Sequence, residues 1–104
     1  MAFTGREDHS ITLEEARKLT ANYRSKAGKD AVVAGFFGKD TIQKILDQEG
    51  CVGIRYYYAL TDDGKPALVL VGVDANENDL IDGVIAEVSL PCPPYCGQVA
   101  TLRS

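Results

Sequence analysis

The chain has 104 residues, 45% hydrophobic and 25% charged, and eleven basic against fifteen acidic side chains leave a net charge of −4. Those proportions suit one globular domain and exclude collagen, fibre and wholesale disorder. No apolar run approaches the roughly 18–20 residues of a membrane helix, and no clustered basic face is present to hold nucleic acid.

The first ten residues read as a flexible polar arm. They contain no apolar signal core, so export is not expected and the cytoplasm is the expected location. A helix over about 13–27 follows. Thr12 and Glu15 make a capping box, in which each side chain satisfies a backbone N–H of the other. Leu13, Ala16, Leu19, Tyr23 and Ala27 recur at spacings of three and four and form one apolar stripe, expected to face the core. Gly28 is a left-handed terminator. Arg17 and Arg24 share one side of this helix, and Glu14 and Lys18 lie four apart; both read as a solvated face.

Residues 30–38 read as irregular, because the adjacent Phe36 and Phe37 cannot both face inward on a regular strand. A shorter helix is expected next, capped by Asp40 with Gln43 three residues on, burying Ile42, Ile45 and Leu46 and ending at Gly50.

From Cys51 the period changes to two. Residues 51–60 and 66–74 form a hairpin about the Thr61–Lys65 turn. The second strand is apolar on both faces and is expected to be central or covered twice. Asp74 to Asn78 matches the start of a calcium loop, but the pattern then fails at Asp79 and Ile85, so an Asn/Asp turn is the expected structure. Residues 83–90 alternate again and read as a third antiparallel strand ended by Pro91. Helices first and strands second predict an α+β fold, with two N-terminal helices packed on a small antiparallel sheet of about three strands. The expected organisation is an arm over 1–10, one domain over 11–97 and a tail over 98–104.

Residues 91–97 stand apart. Pro91, Pro93 and Pro94 remove three donors and favour an extended, polyproline-like backbone. Cys92 and Cys96 sit among them with Tyr95. A local disulfide, a metal site completed by Cys51 and His9, and a rigid recognition element all fit this pattern. Two cysteines are too few for zinc, no metal or other cofactor is assigned, and the third cysteine, Cys51, reads as a buried, inert thiol.

The remaining polar candidates are Arg55 and Tyr57, which share a strand face; the expected place is the sheet margin, with ring and stem buried and polar ends in water, and a shallow ligand site lined by the two is the alternative. His9 is the only histidine and lies in the arm, a poor place for a general base. Phosphate-binding glycine motifs are absent. An enzyme is therefore not the expected reading.

Phe36-Phe37-Gly38, the stretch from Gly50 to Arg55, the stretch from Leu68 to Asp74 and the Pro91–Cys96 segment together resemble a group of short uncharacterised bacterial proteins ending in Pro-Cys-Pro-Pro-x-Cys. The resemblance spans roughly residues 10–97. It implies that the Pro/Cys ending belongs to the domain, and it carries over no site residue.

The expected function is a small interaction and assembly module. Pro91, Cys92, Pro93, Pro94, Tyr95 and Cys96 would supply the contact surface. Val99, Ala100 and Leu102 of the tail would extend a neighbour's sheet, giving a homo-oligomer. The alternative is a thiol-redox or metal-binding protein using Cys92 and Cys96, with Cys51 as a third ligand.

Overall fold

The computed structural model describes residues 2–103. The fold is mixed α+β, 25% helix and 27% strand. In chain order the elements are α1 (Leu13–Ala27), β1 (Ala34–Phe36), α2 (Lys39–Leu46), β2 (Cys51–Leu60), β3 (Pro66–Asp74), β4 (Ile85–Ala86), β5 (Leu90–Cys92) and a 3-10 turn over Thr101–Arg103. Among the described residues no helix is long and apolar enough to cross a membrane.

These elements gather into two compact units. One joins residues 2–7 to 37–89; the other joins 8–36 to 90–103. The expectation of two N-terminal helices on one three-stranded sheet is corrected accordingly. The helices belong to different units, and the strands form two sheets, β2-β3-β4 and β1-β5. The correction traces to residues 83–90. Only Ile85–Ala86 pairs with β3, Leu90–Cys92 pairs with β1, and Val88 between them is 92% exposed. An alternating stretch of eight is thus split between two sheets, because periodicity reports which residues share a face and not which strand they join.

In the first unit β2 and β3 pair antiparallel from Leu60↔Pro66 to Cys51↔Asp74, with a bulge between Cys51 and Gly53. The turn is closed by Thr61 N–H to Lys65 O and by Gly64 N–H to Thr61 O, with Gly64 at positive φ. β3 is the central strand, as its two apolar faces predict, and Leu70, Val71 and Val73 are buried.

Helix α2 supplies Ile45, the one fully buried large side chain among the described residues. It starts at Lys39 after Gly38, whose lack of a side chain leaves the N-cap without a side-chain bond. Asp40, expected as the cap, lies inside the first turn, where its charge still suits the helix dipole.

Gln48 ties this unit together. Its Nε2 donates to Ile45 O, and its Oε1 accepts from Val84 N–H, both at 2.8 Å. The amide needs the room that glycines leave: a Cβ on Gly83 would lie 1.8 Å from Gln48 Oε1, and one on Gly72 2.8 Å from Nε2. The polar arm joins this unit through Phe3 N–H to Ala75 O.

In the second unit α1 has the predicted capping box. Glu15 N–H donates to Thr12 Oγ1 at 3.1 Å, and Thr12 N–H donates to Glu15 Oε1 at 3.2 Å. Gly28, φ 86°, ends the helix. No residue of α1 is buried, so the expected core stripe is corrected. The half-buried positions are Ala16, Arg17, Thr20, Arg24 and Ala27, on the side where α1 meets the 3-10 turn. Leu19 and Tyr23 fall just off that side and are 58% and 48% exposed.

The segment read as irregular holds β1, antiparallel to β5 with Gly35↔Pro91 at its centre. The strand stops at Phe36, so the two phenylalanines never have to share a regular pleat.

Candidate functional site

Pro91 does not end a strand here; it sits in the middle of β5, in a two-stranded ladder where only alternate residues need donate. Val33 N–H donates to Cys92 O at 2.8 Å. The chain then turns, with Tyr95 N–H bonded to Pro91 O and Cys96 N–H to Pro94 O. The Cys92-Pro93 and Pro93-Pro94 peptide bonds are both cis. The backbone bonds onto Pro91 O and Pro94 O make the segment a tight turn, and the extended polyproline-like expectation is corrected: proline restricts φ but leaves ψ free to turn the chain.

Cys92 and Cys96 are joined as a disulfide, with Cα atoms 4.8 Å apart. Of the three sequence readings of this pair, the local disulfide is the one the geometry adopts. Cys92 is only 3% exposed, whereas Pro93, Pro94 and Tyr95 form an exposed tip and Tyr95 is 61% exposed.

The tail does not extend as a strand. Arg103 folds back on it, donating to Cys96 O at 2.6 Å, Gly97 O at 3.1 Å and Val99 O at 3.3 Å. Arg24 of α1 donates to Leu102 O. A strand-adding segment needs those carbonyls, and the guanidinium groups occupy them. Arg103 is the residue that sequence reasoning missed in this region; a lone basic residue in a short tail gives no signal of its own.

Between these parts lies an apolar groove of about 530 Å³, lined by Leu13, Phe36, Tyr95, Leu102 and the disulfide. Beside the packed side of α1, Glu15, Leu19, Tyr23 and Lys26 follow at spacings of four, four and three, so they share one helix face.

In the first unit Arg55 and Tyr57 are brought together, as their shared face predicts, but on a third residue, Asp79. Arg55 Nη1 donates to Asp79 Oδ1 at 2.6 Å and to Glu77 O at 3.2 Å, and the Tyr57 hydroxyl donates to the other Asp79 oxygen. The Phe3 ring lies 6.0 Å from the guanidinium. The Tyr57 hydroxyl first, and the Asp79 carboxylate after it, hold the Arg55 pKa above its ordinary value. Their polar atoms are thus spent on partners within the chain, and the cluster reads as a brace between β2 and the 75–80 loop. Asp79 carried a signal only as the residue that spoils a calcium pattern.

The start of that pattern is a turn: Asp74 Oδ1 accepts from Asn76 and Asn78 N–H. Cys51 is the free cysteine, half-buried, with its thiol on Gly53 O. Among the described residues no group of three or more His, Cys, Asp and Glu side chains gathers to hold a metal ion. No family model, curated protein or solved structure matches this chain.

Proposed function

We propose that the protein is a self-associating interaction module whose contact surface lies on the second unit. One observation carries this reading: α1 is a well-capped helix of fifteen residues with none buried. One exposed apolar flank, Leu19 and Tyr23, has an acid one turn before it and a base one turn after it.

The face Glu15–Leu19–Tyr23–Lys26 is complementary to itself when inverted. Two copies crossing antiparallel would set Leu19 against Tyr23 and Glu15 against Lys26, twice over, as a two-fold contact requires. Parallel crossing would oppose like charges. The Pro93-Pro94-Tyr95 tip and the groove beside it give the same unit further apolar surface of low conformational entropy.

Light scattering on size-fractionated protein tests the reading. At micromolar concentration the wild type is expected at twice the chain mass and Leu19→Glu at the chain mass, with unchanged circular dichroism because Leu19 is exposed. A wild type that is monomeric at micromolar concentration, or a Leu19→Glu variant that keeps the wild-type mass there, ends the proposal.

A second reading rests on the disulfide lining the groove. A dithiol reductant would transfer two electrons and two protons to it, releasing two thiols at Cys92 and Cys96 and leaving as a disulfide itself. As a disulfide the pair offers no thiolate to a metal. Intact mass before and after a dithiol reductant, without denaturant, separates the readings: a gain of two hydrogens favours exchange chemistry, and no gain leaves the bond structural.

A further inference from the structure

The first unit carries a different open surface. β2 is an edge strand ten residues long, since the sheet order is β2-β3-β4. Which of its backbone groups face outward follows from the ladder. Pro66 has no N–H and stands opposite Leu60, so the bonded pairs are Ala59↔Ala67, Tyr57↔Val69, Arg55↔Val71 and Gly53↔Val73. The other edge of β3 agrees: Leu80 N–H donates to Gly72 O, so Gly72 faces away from its β2 partner Ile54.

The N–H and C=O groups of Ile54, Tyr56, Tyr58 and Leu60 therefore point off the sheet, and among the described residues no backbone bond reaches them. The arm reaches only the start of the strand, where a Cβ on Gly5 would lie 2.8 Å from Val52 O.

Natural edges are guarded by lysine, proline, inward charges or short length. Over 52–60 this edge has no proline and no lysine. Its one charge, Arg55, is drawn onto Asp79, and Tyr56, Tyr58 and Leu60 are 54%, 84% and 73% exposed. Tyr56 and Tyr58 stack edge to face on this side.

We infer that β2 is a docking edge for β2 of a second copy, joining two three-stranded sheets into one. The sequence is suited to itself in one register. A two-fold axis at Tyr57 sets Tyr56 opposite Tyr58 and Ile54 opposite Leu60 of the second copy, and the reverse. That register uses all four outward residues of each strand and closes about eight backbone hydrogen bonds. Arg55 meets Ala59, so like charges are not opposed. An axis at Tyr58 would run into the Thr61–Lys65 turn, and an axis at Ile54 would run into the arm at Val52.

This contact is independent of the α1 contact and uses different residues. Amide hydrogen exchange resolved by residue tests it on the full chain. Arg55, Tyr57 and Ala59 amides are protected by the hairpin in any case. The amides of Ile54, Tyr56, Tyr58 and Leu60 are expected to exchange at least roughly tenfold slower at millimolar than at micromolar concentration, because only pairing with another strand covers them.

Tyr58→Pro removes one outward N–H without touching the ladder and should abolish the concentration dependence. Tyr58→Lys, which tests the same edge by charge, should do likewise if the proline variant fails to fold. Leu19→Glu should leave the protection intact. Outward amides that exchange freely at millimolar concentration overturn the inference, whether or not the protein associates through α1.

Discussion

At Glu7, backbone amides decide a charge. Thr4 and Gly5 N–H both donate to its carboxylate at 2.9 Å, and the bond from Thr4 foremost, then Glu7's own N–H and that of Gly5, lower its pKa from 4.5 to about 2. The folded arm therefore holds its proton less tightly than the unfolded one. The resulting stabilisation is complete above pH 4.5 and is lost as pH falls through 2. A carboxyl NMR titration is expected to place the Glu7 midpoint near 2, with the Thr4 and Gly5 amide signals moving together with it. A midpoint near 4.5 would show that the arm does not hold this turn. Asp8 and Asp63 are lowered in the same way, first by Ser10 N–H and by the Thr61 hydroxyl respectively. None of these bonds needs a distant partner, which is why the arm's chemistry is local in sequence. Asp79 is the opposite case. Its partners lie 22 and 24 residues away, and its role becomes visible only when β2 and the 75–80 loop meet.

Helix α1 shows what a sequence period does and does not report. Cap, length and terminator follow from Thr12, Glu15 and Gly28, because each acts within one turn of itself. The direction of burial does not, because fifteen residues carry a stripe broader than one neighbour covers. The 3-10 turn takes the Ala16–Thr20 side and leaves Leu19 and Tyr23 out. With no buried side chain to hold it, α1 depends on its cap more than a core helix does. Thr12→Ala is expected to remove about 1 kcal/mol from its stability, read as faster amide exchange over residues 13–18. Unchanged exchange there would mean that contacts outside the helix carry it. β2 teaches the complementary lesson. Its hairpin register is written by the turn and the alternation, while its position at an edge depends on which strand 85–86 chooses.

On the scale of the whole molecule, the two units rest on different devices. The unit with the three-stranded sheet has an apolar core at Ile45, Leu70, Val71 and Val73. The other has Cys92 alone among its buried apolar residues, and a disulfide. Small bodies with little core rely on such staples. By loop entropy a five-residue ring is worth about 2 kcal/mol. Replacing both cysteines by serine is expected to lower protection across residues 8–36 and 90–103 by that amount. Equal protection in the double variant would show that Arg103 and the β1–β5 ladder hold the segment unaided.

From the sequence alone came the class of fold, the capped first helix, the hairpin and the singling out of residues 91–97. All four rest on interactions between near neighbours, whose geometry the residue types dictate. Tertiary structure alone decided that 83–92 serves two sheets, that α1 is left uncovered, that Arg55 and Tyr57 close on Asp79, and that Arg103 gathers the tail. Each of those outcomes is a competition between distant groups for one partner, and its winner depends on where the rest of the chain has already packed.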